Sequence, residues 1–235
     1  VMDMSGITPL AFTKESYDVL SDKVTIHTIG DSLCATYTDN SGLIGWGQVA
    51  GDYFDSQKVA VDNSLSRGGM TAEEFIAKGR FDTLLSKLKK NDYVFIQLAT
   101  NDCGYFSQKE FNELLSQLVL GAREKGAIPV FVTSPETKRA ATDTSDGNGG
   151  YIVNSQLKGF PDVMRNMAGQ MDIPVIDVNN AFLALMREVG LSGINNLGYY
   201  VPDNVHFTNA GANFIAKTVA DGVKALQLPI ADYVK

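Results

Sequence analysis

Five short, nearly continuous apolar runs do most to limit what this chain can become: Val24–Ile29, Val59–Asp62, Tyr93–Ala99, Ile128–Thr133 and Val175–Val178. A strand with one wet face alternates apolar and polar residues, whereas strands without that alternation are covered on both faces, as in a parallel sheet. Parallel neighbours need long crossover connections, usually helical, and the intervening segments supply them. Trp46–Phe54, Thr71–Leu88, Phe111–Lys125, Pro161–Met171 and Ala181–Val189 have helical spacing. In the third, Phe111, Leu114, Leu115, Leu118 and Val119 form one apolar stripe. Right-handed crossovers put helices on both faces of the sheet. The pattern therefore predicts an α/β fold, a three-layer α/β/α domain around a central parallel sheet of about five strands. Residues 23–235 are expected to form it, with a last helix over Ala210–Leu226 and residues 1–22 as an N-terminal extension. The polar tract Ala141–Gly150 reads as a surface loop after the fourth strand.

A formal net charge of −7 removes nucleic acid from the expected partners, because phosphate binding needs clustered Lys and Arg. No apolar stretch nears the roughly 20 residues that cross a bilayer, so no membrane association is expected. Residues 1–22 lack the basic, apolar and small-residue order of a signal peptide. The start at Val1 leaves room for a preceding leader, and an extracellular location is the expectation. The two cysteines are too few for a disulfide framework. Cys34 lies two residues after Ser32 and Cys103 two after Asn101; two thiols are expected, with a Cys34–Cys103 disulfide as the alternative. No His or Cys pair has ligand spacing, so neither a metal nor an organic cofactor is expected.

Ligands of a parallel sheet bind outside the carboxyl ends of its strands, and the chemistry-bearing residues fall at those ends. Gly30-Asp31-Ser32 follows the first run, and Asp203-Asn204-Val205-His206 precedes the last helix. A serine hydroxyl becomes nucleophilic when an imidazole takes its proton and a carboxylate fixes that imidazole's tautomer. The chain has two histidines. His27 lies roughly 16 Å down the first strand from Ser32, at about 3.3 Å per residue, and reads as a core histidine. His206 remains as the base, with Asp203 three residues earlier in one tight turn. The Ser32 turn leaves backbone N–H groups free, Asn101 follows the third run with a side-chain amide, and Gly68 and Gly69 follow the second. These are the donors of an oxyanion hole. Asp31 reads as a turn-stabilising acceptor and Asp102 as a brace for the Asn101 loop.

These motifs, in this order, resemble the SGNH (GDSL-like) hydrolases, a flavodoxin-like fold, and within them the rhamnogalacturonan acetylesterase and acetylxylan esterase branch. Gly45-Trp46-Gly47-Gln48 looks like that branch's Gly-Trp-Gly-Gln, and Phe75 to Arg80 resembles its Phe-x-x-x-Gly-Arg. Ala122 to Val130 and Asp203 to Ala212 are similar to further segments of it. The resemblance covers roughly residues 24–226. It implies a catalytic Ser32, Asp203 and His206, an oxyanion hole from Ser32, Gly69 and Asn101, and acetyl removal from plant cell-wall carbohydrate. Gly69 is preferred to Gly68 because it keeps the family's distance to Phe75. Where the family shows Gly-His-Asn-Asp this chain has Ala99-Thr100-Asn101-Asp102, so any hydrogen bond made by that histidine is either missing or replaced by the Thr100 hydroxyl. The remaining substrate-binding candidates are Trp46 as a sugar platform, Tyr200 (or Tyr199) as a cleft wall, and Arg67 and Arg139, with Lys138, as rim cations for a uronate.

Overall fold

The computed structural model describes residues 23–39 and 41–235; the expected N-terminal extension lies outside the described residues. The chain forms β1 (Val24–Gly30), β2 (Val59–Asp62), β3 (Tyr93–Gln97), β4 (Ile128–Val132), β5 (Ala141–Ser145), β6 (Tyr151–Val153) and β7 (Val175–Ile176). Five of these make one parallel sheet in the order β2-β1-β3-β4-β7. The first crossover steps to one side of β1 and the next to the other. The crevice between the carboxyl ends of β1 and β3 is therefore the topological switch point, where such sheets bind ligands.

The helices are α1 (Trp46–Val49), α2 (Ala72–Ala77), α3 (Arg80–Lys87), α4 (Gln108–Glu124), α5 (Phe160–Met171), α6 (Val178–Leu197) and α7 (Asn209–Ala225). They build two apolar cores, one on each face. Trp46, Phe54, Phe182, Phe207 and Ile215 pack on one side with Ile26, Phe95 and Val132 of the sheet. Phe75, Leu84, Phe111, Leu115 and Phe160 pack on the other with Val94, Ile96 and Phe131. Successive residues of β3 thus enter opposite cores, which is why the strand reads as an unbroken apolar run. The three-layer expectation holds. Among the described residues, no helix is long and apolar enough to cross a membrane.

Boundaries differ where local geometry overrides helical spacing. The segment expected as one helix over Thr71–Leu88 is two, broken at Gly79, whose φ of +72° is left-handed. The Trp46 helix is a single turn followed by a 3₁₀ turn over Ala50–Tyr53. The tract Ala141–Gly150 is not a loop. It is β5 and the turn of an antiparallel hairpin with β6, closed by the Asp146 carboxylate, which accepts from the Asn148 and Gly150 N–H groups at 2.7 and 3.0 Å. The hairpin packs on α6 and explains that helix's kink at Gly190. There Asp143 accepts from the Ser192 N–H at 2.9 Å and its hydroxyl at 2.7 Å. A Cβ on Gly190 would lie 2.8 Å from Asp143 Oδ1 and 3.0 Å from the Tyr151 ring.

Candidate active site

Ser32 leaves β1 on a turn that Asp31 builds. The buried Asp31 side chain accepts from the Leu33 N–H at 2.9 Å, and its carbonyl accepts from the Cys34 and Ala35 N–H groups at 3.1 and 3.0 Å. The chain doubles back so closely that a Cβ on Gly30 would meet Cys34 Cβ at 2.3 Å. Glycine is therefore required before the Asp-Ser pair. Cys34 and Cys103 are both free thiols, so the disulfide alternative is not realised. Burial pushes the Cys34 thiol up to about 12, which keeps it protonated and unreactive.

Asp203 and His206 share one turn before α7. His206 Nδ1 lies 2.7 Å from Asp203 Oδ2, while the other carboxylate oxygen accepts from the Val205 and His206 N–H groups at 2.8 and 2.9 Å. Burial works to raise the Asp203 pKa, but the backbone and imidazole hydrogen bonds outweigh it and hold the carboxyl below its usual range. Nδ1 thus faces the carboxylate, which leaves Nε2 the ring nitrogen not engaged by Asp203. The turn is braced by the Lys138 N–H on the Asn204 carbonyl at 3.0 Å and by Arg139 Nη2 on the Asp203 carbonyl at 3.3 Å. Thr208 caps α7, accepting from the Gly211 N–H at 3.4 Å.

The Ser32 and His206 turns are tied together. Leaving Ser32, the chain donates from the Ile44 N–H to the Phe207 carbonyl at 3.1 Å, and the Tyr37 hydroxyl donates to the Ser32 carbonyl at 2.9 Å. Burial, the Asp31 charge and, more weakly, the Asp203 charge push the Tyr37 phenol up to about 12, partly offset by that hydrogen bond. Tyr37 is a neutral brace on the Ser32 turn, and no sequence motif marks it. Among the described residues, Ser32 Oγ makes no hydrogen bond with another side chain.

Gly68, Gly69 and Asn101 line the same edge. A Cβ on Gly68 would lie 4.0 Å from Ser32 Cβ, whereas one on Gly69 would meet nothing within 4 Å. Gly68 is thus the glycine nearer the Ser32 side chain, while Gly69, preferred in the sequence, turns the chain with φ +73°. Asn101 spends one amide hydrogen on the Met70 carbonyl at 3.0 Å, which orients the amide and leaves the second hydrogen available. Buried Asp102 clamps this corner by accepting from the Ala72 N–H at 2.7 Å and the Ala99 N–H at 3.1 Å. Ala99 itself has φ +127°, a conformation in which an L side chain is strained. Ala99→Gly is expected to raise stability by about 1 kcal/mol, the relieved strain exceeding the entropy glycine adds to the unfolded chain. A lowered urea midpoint would mean that the packing of the methyl outweighs the strain.

The family model of the GDSL-like Lipase/Acylhydrolase matches residues 26–219. The chain belongs to that family. It is 31% identical to the rhamnogalacturonan acetylesterase RhgT of Bacillus subtilis (strain 168), over 92% of this chain and 96% of RhgT. It is 29% identical to the probable rhamnogalacturonan acetylesterase YesY of the same organism, over 88% of this chain and 95% of YesY. The crystal structure of Bacillus subtilis YxiM is similar with a TM-score of 0.74 and 25% identity, over 88% of this chain and 57% of YxiM, so the chain spans little more than half of that protein. As a GDSL-like acylhydrolase the chain is a carboxylic ester hydrolase.

Two substrate-binding expectations fail in this GDSL-like hydrolase. Trp46 is fully buried and donates from Nε1 to Gln97 Oε1 at 3.2 Å, so it cannot stack on a sugar. Tyr200 is buried against Phe182 and Phe207, its hydroxyl donating to the Glu136 carbonyl at 2.6 Å; it anchors the turn beneath the site. Tyr199 stacks on Phe214. Arg67 and Arg139 are exposed. Thr100 Oγ1 lies 2.6 Å from Ser134 Oγ, so the hydroxyl that stands for the family's histidine turns to a buried neighbour. That neighbour continues inward through Gln97 Nε2, 3.2 Å from Ser134 Oγ and 3.3 Å from Asp31 Oδ2. His27 lies between Asp62 and Asp92 at 3.3 and 3.5 Å, in the core as read.

Burial, only partly offset by the Leu33 N–H, raises the Asp31 pKa to about 6. A raised carboxyl contributes most stability below its unfolded pKa and loses it as pH rises through the folded value. The stability of the wild type relative to Asp31→Asn is therefore expected to fall by roughly 2 kcal/mol between pH 4 and pH 7. Paired urea titrations would check it; a pH-independent difference would show that Asp31 is not protonated in the fold.

Proposed function

We propose that the chain is a serine esterase that removes acetyl groups from plant cell-wall polysaccharide or its oligomers, acting outside the cell because such polymers do not cross membranes. The observation that carries this reading is the Asp203–His206 pair, with one carboxylate oxygen on Nδ1 and the other held by two backbone N–H groups. Its setting at the sheet edge with Ser32, and the likeness to RhgT over nearly the whole of both chains, support it. In this reading Ser32 Oγ attacks the acetyl carbonyl as His206 Nε2 takes its proton. The oxyanion receives hydrogen bonds from the Ser32 turn, the Gly68 backbone and the Asn101 amide. His206 then protonates the leaving sugar oxygen, and water, deprotonated by the same nitrogen, releases acetate from the acyl-enzyme.

Acetate release from acetylated pectic and xylan oligomers, beside p-nitrophenyl esters of increasing chain length, tests the reading. Acetyl esters should be cleaved best and activity should fall steeply with longer acyl groups. Activity that rises with chain length would indicate a lipase or arylesterase. Binding without Ser32-dependent turnover would indicate a carbohydrate-binding domain.

A further inference from the structure

The turn that carries Asn101 continues into Tyr105, which at 79% exposure is the most exposed large apolar side chain among the described residues. This turn is rigid. Gly104 N–H donates to the Asn101 carbonyl at 2.9 Å, Tyr105 and Phe106 N–H donate to the Asp102 carbonyl at 3.0 and 2.9 Å, and the Asp102 carboxylate is anchored as described. The ring is held in water on an ordered base.

A cation is delivered to the same turn from another part of the chain. Lys158 Nζ donates to the Cys103 carbonyl at 3.0 Å, and Gln108 Nε2 donates to the Lys158 carbonyl at 2.9 Å. Lys158 adopts φ +49°, an uncommon conformation for a non-glycine residue. Among the described residues it pairs with no carboxylate, so its charge is available to an incoming anion. The chain as a whole is acidic, with a net charge of −7, and a polyanionic substrate would be repelled unless cations met it locally.

We propose that Tyr105 and Lys158 form a subsite for a uronate residue of the polymer, beside the acetylated sugar. The tyrosine face receives the apolar C–H face of the pyranose, and the ammonium receives the uronate carboxylate. This deepens the reading above, on which it rests, by selecting a uronate-containing polymer over a neutral one.

Tyr105→Ala and Lys158→Gln in the full chain test it by three measurements. For a deacetylated oligomer of alternating galacturonate and rhamnose, each variant should weaken the wild-type Kd about tenfold. For the acetylated form of that oligomer, KM should rise by a similar factor with kcat little changed. On p-nitrophenyl acetate, which is too small to reach the subsite, kcat/KM should be unchanged. Lys158→Gln should leave KM for a uronate-free acetylated xylo-oligomer unaltered, whereas Tyr105→Ala should raise it. Unchanged Kd and KM in both variants would overturn the subsite, as would equal losses on p-nitrophenyl acetate. If the wild type binds the oligomer through these residues but releases no acetate from any carbohydrate, the subsite stands and the polysaccharide acetylesterase reading falls. A wild type that binds no uronate oligomer overturns the subsite, even if it deacetylates xylan.

Discussion

Asp203→Asn is expected to lower kcat on p-nitrophenyl acetate by roughly 10⁴-fold at neutral pH while leaving the fold intact. The reason lies in how the two carboxylate oxygens are used. One accepts from the Val205 and His206 N–H groups, and in the variant only the amide oxygen can take that place. The amide NH₂ then faces Nδ1, which must become an acceptor, so the proton moves to Nε2 and the imidazole can no longer act as a base. Shape is retained and the tautomer is reversed. Thermal denaturation beside the kinetics separates the two effects, and a loss below tenfold would mean that another group orients His206.

Ser32→Ala is expected to reduce kcat by at least about 10³-fold, leaving the residual rate that oxyanion donors and binding supply without a nucleophile. Its cost in stability should be close to nothing. The Ser32 side chain is only partly buried, its hydroxyl bonds to no described side chain, and the turn is built by Asp31 and by backbone hydrogen bonds. Mass spectrometry after a reaction with a slowly hydrolysed ester should find the acyl adduct on Ser32 in the wild type and none in the variant. Turnover that survives the substitution would require a different nucleophile and would remove the mechanism proposed here.

The sheet was legible because burial on both faces leaves an uninterrupted apolar signal, and β1, β3 and β4 are centred where that signal predicts. The hairpin was read as a loop because its strands are exposed and polar, although Thr142 and Thr144 before the Asp146–Gly150 turn, with Tyr151 to Val153 after it, form a hairpin pattern. The Asp203–His206 pair was legible because three residues of spacing suffice to create it. Tyr37, Gln97 and Ser134 were not, since their partners lie on other elements and no local pattern records them. Trp46 and Tyr200 were misplaced for a related reason. An aromatic at the start of a helix, or one of two adjacent tyrosines, can face either side, and packing decides which. For Gly68 and Gly69, neighbours in sequence, only the backbone path distinguishes the residue against Ser32 from the one that turns the chain.

The hydrogen bond between Ile44 and Phe207 joins parts of the polypeptide that are made far apart in time. During synthesis the nucleophile's half of the molecule leaves the ribosome early and must wait for the base until α7 follows it out. A nascent chain that ends before His206 lacks the base, so hydrolytic competence should arrive late, when the last long helix docks behind it. A cell making this protein would be spared a half-built esterase at every earlier stage of translation.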